Sequence, residues 1–249
     1  MPPKVKFSKE QIVRAGLNVI KKKGVEALTA REVAAKLGVS TRPIFTYFDT
    51  MDELKAEVYV MAVDRYKVYI EKGLLEEIPF LGAGLHHLKF AKQEPELYKL
   101  LFLTNREEKF GGVTAASDLL FGLVKYTIMA FYGMDEETTN RYYRNMFVVV
   151  FGIGTMLAMG ECPYEDAEIR LILRQMSLSF VKTVKEIPEF LKDDYDRDRY
   201  FGKFIKSMAE GQKAAEVAVK KGQEERKKTK KEPSRTEAEV KKKLSKENK

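Results

Sequence analysis

Four helix-start signals fall within the first 54 residues, and their spacing leaves room for little except a compact bundle of short helices. Ser8 and Gln11 have capping-box spacing, with Phe7 and Ile12 at the flanking hydrophobic-staple positions. Ile12, Ala15, Gly16, Val19 and Ile20 then form one apolar stripe at helical spacing. Lys21–Lys22–Lys23–Gly24 supplies terminal cations and a stop. A second box pairs Thr29 with Glu32, and its helix ends at Gly38 after two turns. A third start is expected at Ser40, with Pro43 in the first turn, where no backbone donor is required. Thr50 with Glu53 opens a fourth helix.

Two short helices joined by a glycine turn, the second rich in exposed polar side chains, define a helix-turn-helix. In that arrangement the second helix offers its N-terminal residues to the DNA major groove. Thr41, Arg42, Thr46 and Tyr47 carry suitable chemistry. Arginine can pair with guanine edges, hydroxyls reach bases or phosphates, and methyl groups touch thymine. Thr29, Ser40, Phe45 and Lys55 are expected to support backbone contacts, and Arg31 and Pro43 complete the candidate DNA face.

The charge distribution points the same way. Residues 1–50 hold ten Lys/Arg against four Asp/Glu, and residues 212–249 hold fourteen against seven, within a chain of net charge +8. The middle is therefore mildly acidic, and a polyanion is expected to meet the ends. The basic tail, 212–249, reads either as an aid to phosphate neutralisation or as a solvated spacer.

From Met51 onward the pattern stays helical: Met51–Gly73, Phe80–Lys92, Pro95–Leu103, Thr114–Tyr132, Asp135–Gly160 and Pro163–Glu186. A further helix is expected around Tyr200–Met208. Strand alternation and internal repeats are not evident, so the expected class is all-α. The expected division is a head at 1–50, a helical body at 51–211 and the tail. The longest uncharged run, Asn145–Gly160, is shorter than the roughly 20 residues needed to span a bilayer. The N-terminus lacks the apolar core of a signal peptide. A single cysteine, Cys162, fits a reducing compartment. A cytoplasmic, non-membrane protein is expected.

The ordered sequence of a helix, a glycine, a Thr-capped helix with VAAKLGVS, then IFTYF, then a capped helix with DEL, resembles the tetracycline-repressor (TetR/AcrR) family over about residues 8–54. LKFAKQEPELYKLLF at 88–102 and FGIGTMLAMGE at 151–161 resemble its body more loosely. The resemblance implies a three-helix helix-turn-helix head and a helical body that dimerises and binds a small effector. It implies a palindromic operator, a homodimer, and release of DNA on effector binding. The dimer would pair helices at about 138–160 and 164–186, and candidate interface residues are Gly152, Gly154, Met156, Ala158, Leu171 and Met176. A subset of His86, Phe90, Tyr98, Phe102, Phe121, Tyr126, Met129, Phe147 and Phe151 is expected to line the effector pocket. The family usually places lysine at the first position of the fourth helix, where this chain has Met51; Lys55 lies one turn on.

Two other readings compete. One is an effector-independent architectural DNA-binding protein. The other is an enzyme holding a nucleotide at the GxG of Gly152–Gly154, which would need a strand at 146–151. HExxH, P-loop and GxSxG motifs are not found, so no cofactor or metal is expected. The neighbouring His86 and His87 point about 100° apart on a helix and cannot chelate one ion together.

Overall fold

A computed structural model describes residues 7–104 and 112–187, together with 196, 198, 199, 202, 208, 211–221 and 223. The chain divides into two compact units, Met1–Pro188 and Glu189–Lys249.

In the first unit, α1 spans Lys9–Lys23, and a 3-10 turn at Val25–Ala27 leads into α2, Ala30–Leu37. A second 3-10 turn, Ile44–Thr46, is followed by α3, Met51–Leu74, and α4, Pro79–Gln93. α5, Pro95–Tyr98, runs directly into a π-helical turn at Lys99–Leu103. α6 is Val113–Tyr132, α7 is Glu136–Met159 and α8 is Asp166–Glu186. Strand is absent among the described residues. In the second unit residues 211–221 are helical and exposed, so helix extends into the segment expected to be a solvated tail. Most of the helix expected at Tyr200–Met208 lies outside the described residues.

The cap chemistry sets the helix starts. The Ser8 N–H donates to Gln11 Oε1 at 2.8 Å, and the Gln11 N–H donates to Ser8 Oγ at 3.2 Å. At α2 only half of the expected box closes. Thr29 Oγ1 accepts the Glu32 N–H at 3.3 Å, but the Glu32 carboxylate turns to Lys23 at 2.6 Å. A full positive charge competes better for it than a neutral N–H. Thr50 and Asp135 cap α3 and α7 through the backbone N–H of Glu53 and Thr138.

The expected helix from Ser40 is shortened to one 3-10 turn plus flanking turn residues. The Ile44 N–H bonds back three residues to the Thr41 carbonyl at 3.1 Å, so the segment begins with 3-10-type rather than α-type pairing. The Phe48 N–H still donates to the Ile44 carbonyl at 3.1 Å, so residues 44–48 keep one α-type turn.

One continuous core joins head and body. Ile12, Ile20, Val33, Ile44 and Leu54 are fully buried in the head. Gly16 brings α1 close to α3, since a Cβ there would lie 2.8 Å from Val58 Cγ2. Gly73 and Gly82 do the same for α3 and α4: a Cβ on either would overlap the other's backbone. The long helix α3 therefore packs on α1 at one end and α4 at the other, and mechanically links the two regions.

α6 and α7 are long and apolar enough, by length and composition, to cross a membrane. α7, however, inserts Tyr142, Met146, Phe147, Val150 and Ile153 into the shared core. Residues 146–151 are helical, so the strand required by the nucleotide-binding alternative is not there.

Candidate nucleic-acid interface

The turn between α2 and the recognition segment is fixed by Gly38, whose φ of +69° is the left-handed conformation that glycine adopts without a Cβ penalty. The Val39 N–H donates to the Ala34 carbonyl at 3.0 Å and ties down the exit. The Ile44 N–H then donates to the Thr41 carbonyl at 3.1 Å. Ile44 and Phe48, one turn apart, are buried to within 2% and anchor the segment. With that side fixed, Thr41, Arg42, Phe45, Thr46 and Tyr47 face solvent together.

Arg42 is exposed and makes no ion pair among the described residues, so its five N–H donors are free for an acceptor. Thr46 Oγ1 donates to the Arg42 carbonyl at 3.2 Å, leaving its lone pairs and methyl outward. The Tyr47 hydroxyl donates to the Phe7 carbonyl at 3.1 Å and so tethers the chain leading into α1 to the recognition segment. Phe45 is a large apolar ring that stays 49% exposed among the described residues.

The supporting residues are arranged around this face. Ser40 is exposed at the turn, and Pro43 is half-buried above Ile44. Thr29 spends its side-chain oxygen on the α2 cap, while Arg31 is exposed in the first turn of that helix. Lys55 is exposed and only loosely associated with Asp52, at 3.9 Å. Met51 packs against the core, so Lys55 is the cation available at the start of α3.

The body places the sequence-derived pocket residues in different environments. Phe90, Tyr98 and Phe102 are buried and packed ring on ring; Tyr98 and Phe102 stack at 4.6 Å. Phe121, Phe147 and Phe151 form a second row through Tyr143. Met129 is half-buried, whereas Tyr126 is 74% exposed and does not share their enclosure. His86 faces a surface groove, with Nε2 3.0 Å from Glu76.

Its neighbour, His87, is the histidine inside the aromatic cluster. His87 is fully buried, and its Nδ1 lies 2.8 Å from the Tyr66 hydroxyl. Burial lowers its pKa to about 3, so the ring is neutral at physiological pH. Nε2 has no hydrogen-bond partner among the described residues. Sequence reasoning missed this residue, although Ala83, His87, Phe90 and Ala91 share one apolar face. It also missed Glu94. That buried carboxylate receives Lys21 of α1 at 3.0 Å and Arg65 of α3, and joins head to body.

The residues proposed for dimerisation also separate. Gly152 is open, and Leu171 and Met176 are exposed on α8. Gly154 and Ala158 instead point into the core and do not belong to that surface. A Cβ on Gly154 would meet the Tyr98 hydroxyl at 2.6 Å, and Ala158 is 5% exposed. Met156 is half-buried. Val148, Gly152 and Met159 on α7 are exposed, as are Leu171, Met176 and Leu178 on α8.

Comparison with known proteins agrees with this geometry. Residues 12–58 match the family described as bacterial regulatory proteins, tetR family. A solved structure of a TetR-like transcriptional regulator from Rhodococcus sp. RHA1 superposes with a TM-score of 0.54 at 16% identity. The match covers 68% of this chain and 93% of that one, and shows a shared fold. No curated protein sequence matches the chain. The matched residues are those of the helix-turn-helix head. The likeness to the tetR family of bacterial regulatory proteins is carried by the head, residues 12–58.

Proposed function

We propose that the protein is a homodimeric transcriptional repressor that binds a palindromic operator and releases it when a small effector enters the body. The observation that carries this reading is the recognition segment. Two buried anchors, Ile44 and Phe48, hold an unpaired Arg42 and two threonines outward on a rigid turn. A helical reader of this kind needs two copies about 34–36 Å apart to engage successive major grooves. The exposed apolar stripe on α7 and α8 supports a dimer, because an uncovered surface of that kind marks an interaction site. Arg42, Thr41, Thr46 and Tyr47 would read bases, while Thr29, Arg31, Ser40, Pro43, Phe45 and Lys55 would position the duplex.

Effector response is supported by continuity. α3 starts beside the recognition segment and ends in the body, and its Tyr66 touches His87, Phe90 and Phe102. A molecule that separates those rings would displace α3 and, through it, the head. Acting on DNA, the protein would work in the cytoplasm.

The experiment is selection of bound fragments from random duplex DNA. The expected product is a palindrome with half-sites about one helical turn apart. Weak, sequence-blind binding would favour the architectural alternative.

A further inference from the structure

Beyond the effector reading of the aromatic core, we propose that the groove between α1, α3 and α4 is a separate binding site for a small amphipathic anion. The groove encloses about 640 Å³, within the range of small-molecule sites. It is concave and bounded on three sides by helices, a shape that suits a compact molecule rather than a duplex.

Its charge is one-sided. Arg14 and Lys21 of α1, Arg65 and Lys72 of α3, and Lys89 of α4 line it, against the single carboxylate of Asp64. Asp64 is itself paired with Lys67 at 3.1 Å, and Arg14 with Glu10 at 2.6 Å. Glu94 holds Lys21 and Arg65. Lys72 and Lys89 make no ion pair among the described residues, so two cations converge on the groove uncompensated. Such a cluster raises the local concentration of anions. Between the charges the wall is apolar: Leu17, Met61 and Val68. An occupant must therefore pair an anionic group with an apolar body. It would touch the head through α1 and the body through α3 and α4. Its consequence for operator affinity rests on the regulatory reading above, whereas its binding does not.

The probe is 8-anilinonaphthalene-1-sulfonate, an aryl sulfonate that fluoresces on leaving water, titrated into the full chain. Saturable binding that weakens with salt is expected. Lys72→Gln with Lys89→Gln should lower the affinity about tenfold, as loss of two partly screened charge contacts implies. Val68→Glu, at a position 45% exposed, should lower it as well, while the neutral N-phenyl-1-naphthylamine should bind the lysine variant within about twofold of the parent. Asp118→Asn, exposed on α6 and outside the groove lining, should leave dye affinity unchanged. Circular dichroism melts establish that each variant is folded. Equal sulfonate affinity in the parent and in both groove variants would overturn the proposal. So would a double-lysine variant that loses DNA affinity while retaining the dye, because the lysines would then be phosphate contacts.

Discussion

The head and the body solve the same packing problem in different ways. The head uses short helices with explicit stops, small apolar anchors and an outer face left polar. Its buried interior is aliphatic apart from Phe48. The body uses long helices and fills its centre with rings, among them Tyr66, Phe90, Tyr98 and Phe102, and it buries polar atoms with them. Tyr142 and Tyr132 converge on Ser177, at 2.6 and 3.2 Å, and bind α6, α7 and α8 together. An aliphatic core held by caps gives a rigid reader. An aromatic core with partly satisfied polar atoms can offer a ligand both apolar contact and hydrogen-bonding partners.

The largest effect should come from breaking an anchor of the reader. Phe48→Ala deletes a ring that is 2% exposed, and should cost about 3–5 kcal/mol in denaturant unfolding. A cost below about 1 kcal/mol would mean that the recognition segment does not depend on its core contact.

Gly82→Ala tests the joint between the regions. The added methyl overlaps the Gly73 backbone, and separating α3 from α4 should cost about 1–3 kcal/mol. Gly152→Ala, in open space on α7, is the matched control and should be neutral or slightly stabilising, because alanine is the better helix former.

Glu94→Gln removes the carboxylate that ties α1 to α3. Lys21 and Arg65 are 31% and 42% exposed and can be rehydrated, so the cost should be about 1–2 kcal/mol rather than that of a fully buried pair. Thermal unfolding gives the value, and a variant as stable as the parent would show that head and body are joined by apolar packing alone.

His87 sharpens the account of the body. Its folded pKa of about 3 lies below its usual value of 6.5, so the unfolded chain binds the proton more readily. Stability from this group is present above pH 6.5 and is lost as pH falls toward 3, at up to about 1.4 kcal/mol per pH unit. Unfolding measured across that window in the parent and in His87→Gln should show the smaller slope in the variant. Equal slopes would mean that His87 is not buried neutral.

The same contrast explains what could be read from sequence. Caps, glycine stops and a four-residue apolar period are local signals, so the starts at Ser8, Thr29, Thr50 and Asp135 were legible. The length of the recognition helix was not, because the segment closes on a 3-10 turn at Ile44–Thr46 that has no side-chain cap, and cap spacing at Ser40 does not tell that turn from an α-helix. In the body, choosing His87 over His86 required the helix phase against α3. Separating Gly152 from Gly154 required knowing that Tyr98 lies across one of them. Glu94 looked like an ordinary charged residue before a proline, and its two cationic partners are 73 and 29 residues away.

The central claim is that the solvent-facing side of residues 41–47 reads DNA sequence, and Arg42→Ala tests it most directly. The Arg42 side chain makes no hydrogen bond or ion pair among the described residues, so its loss should change stability by no more than about 0.5 kcal/mol. The measurement is the affinity of the parent and the variant for the selected operator and for a scrambled duplex of equal length, at one salt concentration. The account predicts a loss of about 1–3 kcal/mol on the operator with little change on the scrambled duplex. Equal losses on both duplexes, or none on either, would contradict it.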